Sequence, residues 1–335
     1  MGGILNPKGR ELVLKACEEK RDTGNMTIAK MLYKKYPEVW PSLDAARAQV
    51  GYYRGAKGNQ HRNELSIKKY IGDGLGRRNI PGSDQREWGP RYLQPFDYML
   101  VCGDIHIPYH SPEAIELMLD YAHGPLKEAK EGGCIVLLGD IWDMHRLSFY
   151  SKDPTARSTR EERERVIQFL AALRDAYPDA TIVYKEGNHE ERWTTHIKTK
   201  SPEFFDFEDF KLPKVLKLDE LDIQWVGDKR TIYYGQLNML HGHEFARAIT
   251  SPVNPARGLF LRTHCTTIGA HHHQTSMHEE GNLRGKPISC WSIGTLGELH
   301  PEYLPNNRWN AGFAVLTGGH KFVLDNKRIV KGQVV

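Results

Sequence analysis

Aspartate, asparagine and histidine recur just beyond short apolar runs of this chain. Residues 98–102 lead into Gly103, then Asp104 and His106. Residues 134–138 lead into Gly139, Asp140 and, three positions on, Asp143. Residues 181–184 lead into Gly187, Asn188, His189 and Glu190. Residues 237–240 end at His241, and residues 266–268 lead through Gly269 and Ala270 to His271, His272 and His273. Carboxylate, amide oxygen and imidazole nitrogen are all ligands for divalent cations, and a mixed N/O set suits Mn, Fe, Zn or Ni better than Mg or Ca. In an extended Asp104-Ile105-His106 the outer two side chains point the same way and can meet one ion. A single such residue at a strand end is usually a turn residue or cap. Five in succession point to one cluster, because ligands gather beyond the carboxyl ends of strands in α/β sheets.

Such a cluster needs strands to deliver it and helices to cover them. Residues 111–123 read as a helix, with Ser111 as cap, Pro112 at the first position and Glu113 in the first turn. Residues 159–177 read as a second, amphipathic helix with an acidic start at Glu161 and Glu162. Strand and helix alternate here, which predicts a largely parallel inner sheet. After Asp222 the pattern changes to short strands at 223–226, 231–234 and 237–240, with one more helix at 254–263. Strands at 288–293, 313–316 and 322–324 are expected in a second sheet.

Taken together, the five blocks resemble the calcineurin-like metallophosphoesterases over about residues 97–275. That family carries Asp-x-His, Gly-Asp-x-x-Asp, Gly-Asn-His-Asp/Glu, a lone His, and Gly-His-x-His. The fifth block departs from the pattern, with Ala270 where the family has Gly. The resemblance implies a four-layer α/β/β/α sandwich and two divalent metal ions bridged by Asp140. Asp104, His106 and His273 would complete one metal site, and Asn188, His241 and His271 the other. His189, turned away from its neighbour's target by an extended backbone, is the expected general acid or transition-state stabiliser. Asp143 is expected to orient His189 and favour its protonated form. Glu190 reads as a helix-start residue, and His243 and His272 stay outside the metal set. Arg146, Lys152 and Arg157 are candidate phosphate contacts.

The rest of the chain adds charge rather than chemistry. Residues 1–70 hold fourteen Lys or Arg against seven Asp or Glu, whereas the whole chain is net +4. Helical patterns at 7–21, 26–36 and 43–54, the last capped by Ser42, resemble a helix-turn-helix-like module. Gln49, Tyr52, Tyr53, Arg47, Arg54 and Lys57 are its candidate contacts with nucleic acid. The turn at 37–42 is longer than the tight turn of that motif. Gly- and Pro-rich residues 71–96 read as a linker, with Trp88 and Tyr92 lying on the catalytic part at 97–335. No apolar run approaches the roughly 18 residues that span a bilayer, so no membrane partner is expected. The five cysteines are scattered, without Cys-x-x-Cys, which suits a reducing, cytoplasmic location. The expected activity is a phosphodiesterase or nuclease acting on nucleic acid. The alternative is a phosphomonoesterase, acting on protein or nucleotide, whose N-terminal bundle contacts protein.

Overall fold

The structure, a computed structural model, describes residues 7–20, 23–55, 83–85, 88–129, 133–149, 156–245, 253–301 and 304–335. The chain divides into two compact units, Met1–Glu87 and Trp88–Val335.

The first unit carries helices Pro7–Glu19, Asn25–Lys35 and Leu43–Arg54. Ser42 caps the third, its hydroxyl accepting from the Ala45 N–H at 3.2 Å. Val13, Ile28, Ala29, Leu32, Trp40, Ala46 and Val50 form the core between the helices. This packing uses up side chains expected at a nucleic-acid face. Gln49 is buried and accepts from the Trp40 indole at 2.5 Å. Tyr53 is buried as well. Arg54 donates to the Thr23 carbonyl, to Asn25 Oδ1 at 3.0 Å and to the Lys20 carbonyl at 3.3 Å, tying the first two helices to the third. Arg47 is exposed, Tyr52 is half-buried, and Lys57 lies outside the described residues.

The second unit is mixed α/β. Its strands are β1 (Arg91–Tyr92), β2 (Tyr98–Cys102), β3 (Gly133–Leu137), β4 (Thr181–Lys185), β5 (Ile223–Val226), β6 (Ile232–Tyr234), β7 (Leu237–Leu240), β8 (Thr267–Gly269), β9 (Ser276–Gly281), β10 (Pro287–Ser292), β11 (Ala311–Thr317), β12 (Val323–Val330) and β13 (Gln333–Val334). One sheet has seven strands in the order β13-β12-β11-β2-β3-β4-β5, the other six in the order β1-β6-β7-β8-β10-β9. Strands β2 to β5 are parallel, as the strand–helix alternation requires. The expected second-sheet strands at 313–316 and 322–324 instead join the first sheet, β11 antiparallel to β2 and β12 antiparallel to β11. The reason is in β11 itself: Phe313 and Val315 pack into the core on one face while Ala314 and Leu316 pack into the core on the other. Only an inner strand buries both. Residues 88–96 belong to this unit as well, through β1 on β6 and the buried Leu93 and Phe96.

The continuous apolar runs of β2 to β4 follow from burial on both faces. Leu100, Ile135, Leu137, Ile182 and Tyr184 meet Ile115 and Met118 of helix Pro112–Glu128 and Val166 and Leu170 of helix Thr159–Ala176. Met99, Val101, Val136 and Val183 pack with Ile232, Met239, Ile268 and Ile293, joining the two sheets face to face. Leu240 and Cys290 meet Leu259 of helix Pro255–Thr263. Among the described residues, no helix is long and apolar enough to cross a membrane.

The start of helix Thr159–Ala176 divides two acids between different tasks. Glu161 closes a capping box with Ser158. Glu162 turns inward, fully buried, and accepts from the Trp142 indole at 2.9 Å, while its Oε1 has no partner among the described residues. Burial pushes this carboxyl up from its ordinary 4.5 to about 7. The folded protein therefore binds this proton more tightly than the unfolded chain, and stability is lost as pH rises from 4.5 through 7. Glu162→Gln keeps the indole's acceptor and removes the titration. Its melting temperature should exceed that of the parent by roughly 2–4 °C at pH 8, and the gap should vanish near pH 4.5. Thermal melts across that range test it.

Candidate metal centre

The candidate ligands come from both sheets. Asp104 and His106 follow β2, Asp140 follows β3, and Asn188 opens helix Asn188–Lys200 after β4. From the second sheet, His241 follows β7, and His271 and His273 follow its parallel neighbour β8. The ladder continues past the strand ends: the Asp104 N–H donates to the Gly139 carbonyl at 3.0 Å and the His106 N–H to the Asp140 carbonyl at 2.9 Å. Cross-sheet bonds join the two groups. His241 Nδ1–H donates to the Leu138 carbonyl at 2.7 Å, and the His271 N–H donates to Asp104 Oδ2 at 2.8 Å. Asp104, His106, Asp140, His271 and His273 all have positive φ, between 50° and 71°. Non-glycine residues rarely adopt that conformation, and strain of order 1–3 kcal/mol per residue clusters at functional sites.

Three side-chain groups bring acceptor atoms within 4.8 Å of one another: Asp104 with His106 and His273, Asp140 with His241 and His271, and His106 with Asp143 and His189. In the first, His106 Nε2 and His273 Nε2 face each other at 3.1 Å, and Asp104 Oδ1 lies 3.6 Å from His273 Nε2. That oxygen is buried without a hydrogen-bond partner among the described residues. In the second, Nδ1 of His241 is committed to Leu138, which turns Nε2 toward the group. It stands 3.0 Å from Asn188 Oδ1 and 3.2 Å from Asp140 Oδ2. These buried His/Asp groups can hold metal ions. The third group differs in kind, because imidazole N–H groups are turned toward the Asp143 oxygens.

Electrostatics point the same way. Burial pushes the Asp104 carboxyl up to about 7. Burial also opposes charge on His241, but Asp140 and Asp104 outweigh it and raise that imidazole to about 10. For Asp140 the neighbouring His189 and His241 overcome burial and hold its carboxyl well below the usual range. Burial pushes His271 down to about 3 and His273 well below an ordinary imidazole. Asp140 held charged beside His271 and His273 held neutral offers donors to a positive ion, while the raised His241 sets a proton between its ring and Asp140 that an ion would have to displace.

The pair assigned to catalysis is arranged differently from expectation. His189 lies in the first turn of a helix rather than in extended chain. The helical turn between adjacent residues, about 100°, separates its side chain from that of Asn188. Its Nδ1–H donates to the backbone carbonyl of Asp143 at 2.6 Å, while the Asp143 carboxylate stands farther off at 3.3 Å. That carboxylate accepts first from His106 Nδ1–H at 3.0 Å, a contact that fixes the tautomer presenting Nε2 to the first group. Arg192 donates to His189 Nε2 and to the Asp143 carbonyl, both at 2.9 Å. His243 and His272 belong to none of the three groups. The His243 side chain is buried, 3.5 Å from Glu191, rather than solvated. Arg146 is committed to the carbonyls of Ala156 and Arg157, and Lys152 lies outside the described residues.

Several supporting residues carried little sequence signal. Glu190 is fully buried and accepts from the N–H groups of Asp140, Ile141, Trp142 and Gly187 and from the Tyr184 hydroxyl, all between 2.8 and 3.0 Å. It is a helix-start residue, as its place after Gly-Asn-His suggests, but its carboxylate also shapes the Asp140 loop. Gly187 is required beside it, since a Cβ there would stand 2.3 Å from Asp140 Oδ1. Glu244 accepts from the N–H groups of His241 and Gly242 and pairs with the fully buried Lys185 at 2.8 Å. A lysine ending the apolar run of β4 was the one available hint. Trp309 meets the His273 ring edge-on at 4.3 Å.

No protein-family model matches the chain, and no curated protein matches it. Among solved structures, one similar chain is a single mutant of Vps29 from Entamoeba histolytica. It is 14% identical, with a TM-score of 0.37, over 71% of this chain and 96% of that one. A likeness at that identity and score says nothing about function.

Glu190 supplies acceptors to five donors, so the isosteric Glu190→Gln brings an amide N–H into a pocket already full of donors. It should destabilise the protein by roughly 2–4 kcal/mol, measured by urea denaturation. A variant as stable as the parent would mean that the Asp140 loop is held by something else.

Proposed function

We propose that this chain is a dinuclear-metal-dependent phosphoesterase of the calcineurin-like kind. In this reading residues 97–335, joined by residues 88–96, form its four-layer α/β/β/α sandwich, residues 1–70 a three-helix basic module and the residues between them the connection. The observation that carries the reading is the convergence of buried acceptor atoms on two points, beyond strand ends of two sheets. Asp104, His106 and His273 would hold one ion, Asn188, His241 and His271 the other, with Asp140 between them. When bound, such ions neutralise phosphoryl oxygens and supply a strong nucleophile from water at neutral pH. The chain's own residues do the rest. Asp143 orients His106 through its carboxylate and His189 through its carbonyl. His189 Nε2 lies 3.7 Å from Asp140 Oδ2 and accepts from Arg192; released by Arg192 and protonated, it would give that proton to the leaving oxygen. Mixed N/O donors favour Mn, Fe, Zn or Ni.

The substrate we propose is a phosphodiester of nucleic acid. Its support is the charge of residues 1–70 and the exposed Lys30, Lys34, Lys35 and Arg47. The internal use of Gln49, Tyr53 and Arg54 favours the second reading, a phosphomonoesterase whose bundle contacts protein.

Metal analysis and an activity panel test the first part. The parent, supplemented with each metal, should hydrolyse a nitrophenyl phosphodiester, and comparison with a monoester and with single- and double-stranded DNA and RNA ranks the readings. Asp140→Asn should lose bound metal together with turnover. Two metals per chain and normal turnover in that variant would sink the assignment.

The nucleic-acid part has its own test. If the basic module contacts phosphates, binding should weaken steeply with salt. Replacing Lys30, Lys34 and Lys35 together by Ala should flatten the salt slope by up to about three units. An unchanged slope, or no binding by the parent to any DNA or RNA, would leave the protein-contact bundle as the answer.

A further inference from the structure

Arg192 was outside every motif read from the sequence, yet its guanidinium reaches the heart of the site. It lies half-buried on helix Asn188–Lys200, one turn after Asn188. One nitrogen donates to His189 Nε2 and another to the Asp143 carbonyl. The same His189 nitrogen stands 3.7 Å from Asp140 Oδ2, so a single imidazole nitrogen separates the guanidinium from the central carboxylate.

Both partners of Arg192 are poor matches for a full positive charge. Among the described residues no ion pair joins Arg192 to a carboxylate. The Asp143 carboxylate is bonded to His106, and Glu162 to the Trp142 indole. A partly desolvated cation normally finds an anion. Guanidinium offers five N–H donors in a planar fork, and two contacts leave three donors unused. That fork fits two oxygens of one phosphoryl group, a stronger partner than an imidazole or a carbonyl. Of the cations expected near substrate, Arg146 is held by loop carbonyls and Lys152 lies outside the described residues; Lys185, beside the site, is buried against Glu244.

We propose that Arg192 is a substrate-binding residue that receives the non-bridging oxygens of the phosphoryl group next to His189. The proposal rests on the phosphoesterase reading above and adds a specific residue to it. It makes the site selective for tetrahedral oxyanions over neutral esters, because no neutral group repays the guanidinium's missing anion.

The test uses the full-length, metal-loaded protein and inorganic phosphate as the probe. Calorimetric titration should show phosphate binding to the parent and a loss of roughly 10- to 100-fold in Arg192→Ala, with metal content and melting temperature close to the parent's. Arg192→Lys should recover only part of the loss, since an ammonium lacks the fork. On a nitrophenyl diester, KM should rise in the same order. Phosphate binding as tight in Arg192→Ala as in a parent that hydrolyses esters would overturn the assignment of Arg192 alone. A metal-loaded parent that neither binds phosphate nor hydrolyses any ester would overturn the phosphoesterase reading and this proposal with it. If Arg192→Ala fails to fold, Arg192→Lys decides: parent-like phosphate affinity overturns the bidentate contact, and a clear loss at unchanged metal content supports it.

Discussion

Buried acceptors facing one another are the constraint on which the second unit depends. Asp104 Oδ1, the Nε2 atoms of His106, His241 and His273, Asn188 Oδ1 and Asp140 Oδ2 crowd into one region with hardly a donor among them. Repulsion of this kind persists only where the scaffold outweighs it or where a cation relieves it. Both apply here. The two sheets share one dry core, and their strand ends cannot separate without exposing it.

The scaffold acts through backbone hydrogen bonds more than through side-chain packing. Glu190 gathers the N–H groups of the Asp140 loop, and Glu244 does the same for His241 and Gly242. Thr295 adds a contact to the Asp104 carbonyl at 2.6 Å. Two of these bonds hold residues with positive φ, Asp140 and Asp104, a conformation that neither Asp nor His adopts freely. The strain is local, and its compensation lies in buried bonds made by residues that touch no ligand. Ala270, where the resembling family has Gly, is tolerated because it is absent from the positive-φ residues and its side chain is buried in the core between the sheets.

The first unit obeys a different economy. Its small core draws polar and charged side chains into structural service: Gln49 satisfies the Trp40 indole, and Arg54 ties the helices together. A basic composition is therefore an incomplete guide to a basic surface. The lysines of helix Asn25–Lys35 and Arg47 of the third helix remain outward, while Gln49 and Tyr53 of the third helix turn inward.

The strand-end pattern was legible because period and termination are local properties. Apolar runs of strand length, each stopped by Gly or a polar residue, identify β2, β3, β4, β7 and β8 without knowledge of their neighbours, and the cap at Ser111 and the acids after Ser158 mark helix starts. The family resemblance, rather than local spacing, assigned His271 and His273 to two different groups. What local pattern cannot carry is which strands pair and which distant atoms meet. Placement of β11 and β12 in the first sheet depends on burial of both faces of β11, a property of the assembled layers. That Asp143 gives its carboxylate to His106 and its carbonyl to His189 depends on distances across loops 37 and 46 residues apart in sequence. The roles of Glu190, Lys185, Glu244 and Arg192 follow from the same cause. Their chemistry is decided by the partners that the fold brings to them, and in sequence those partners are far away.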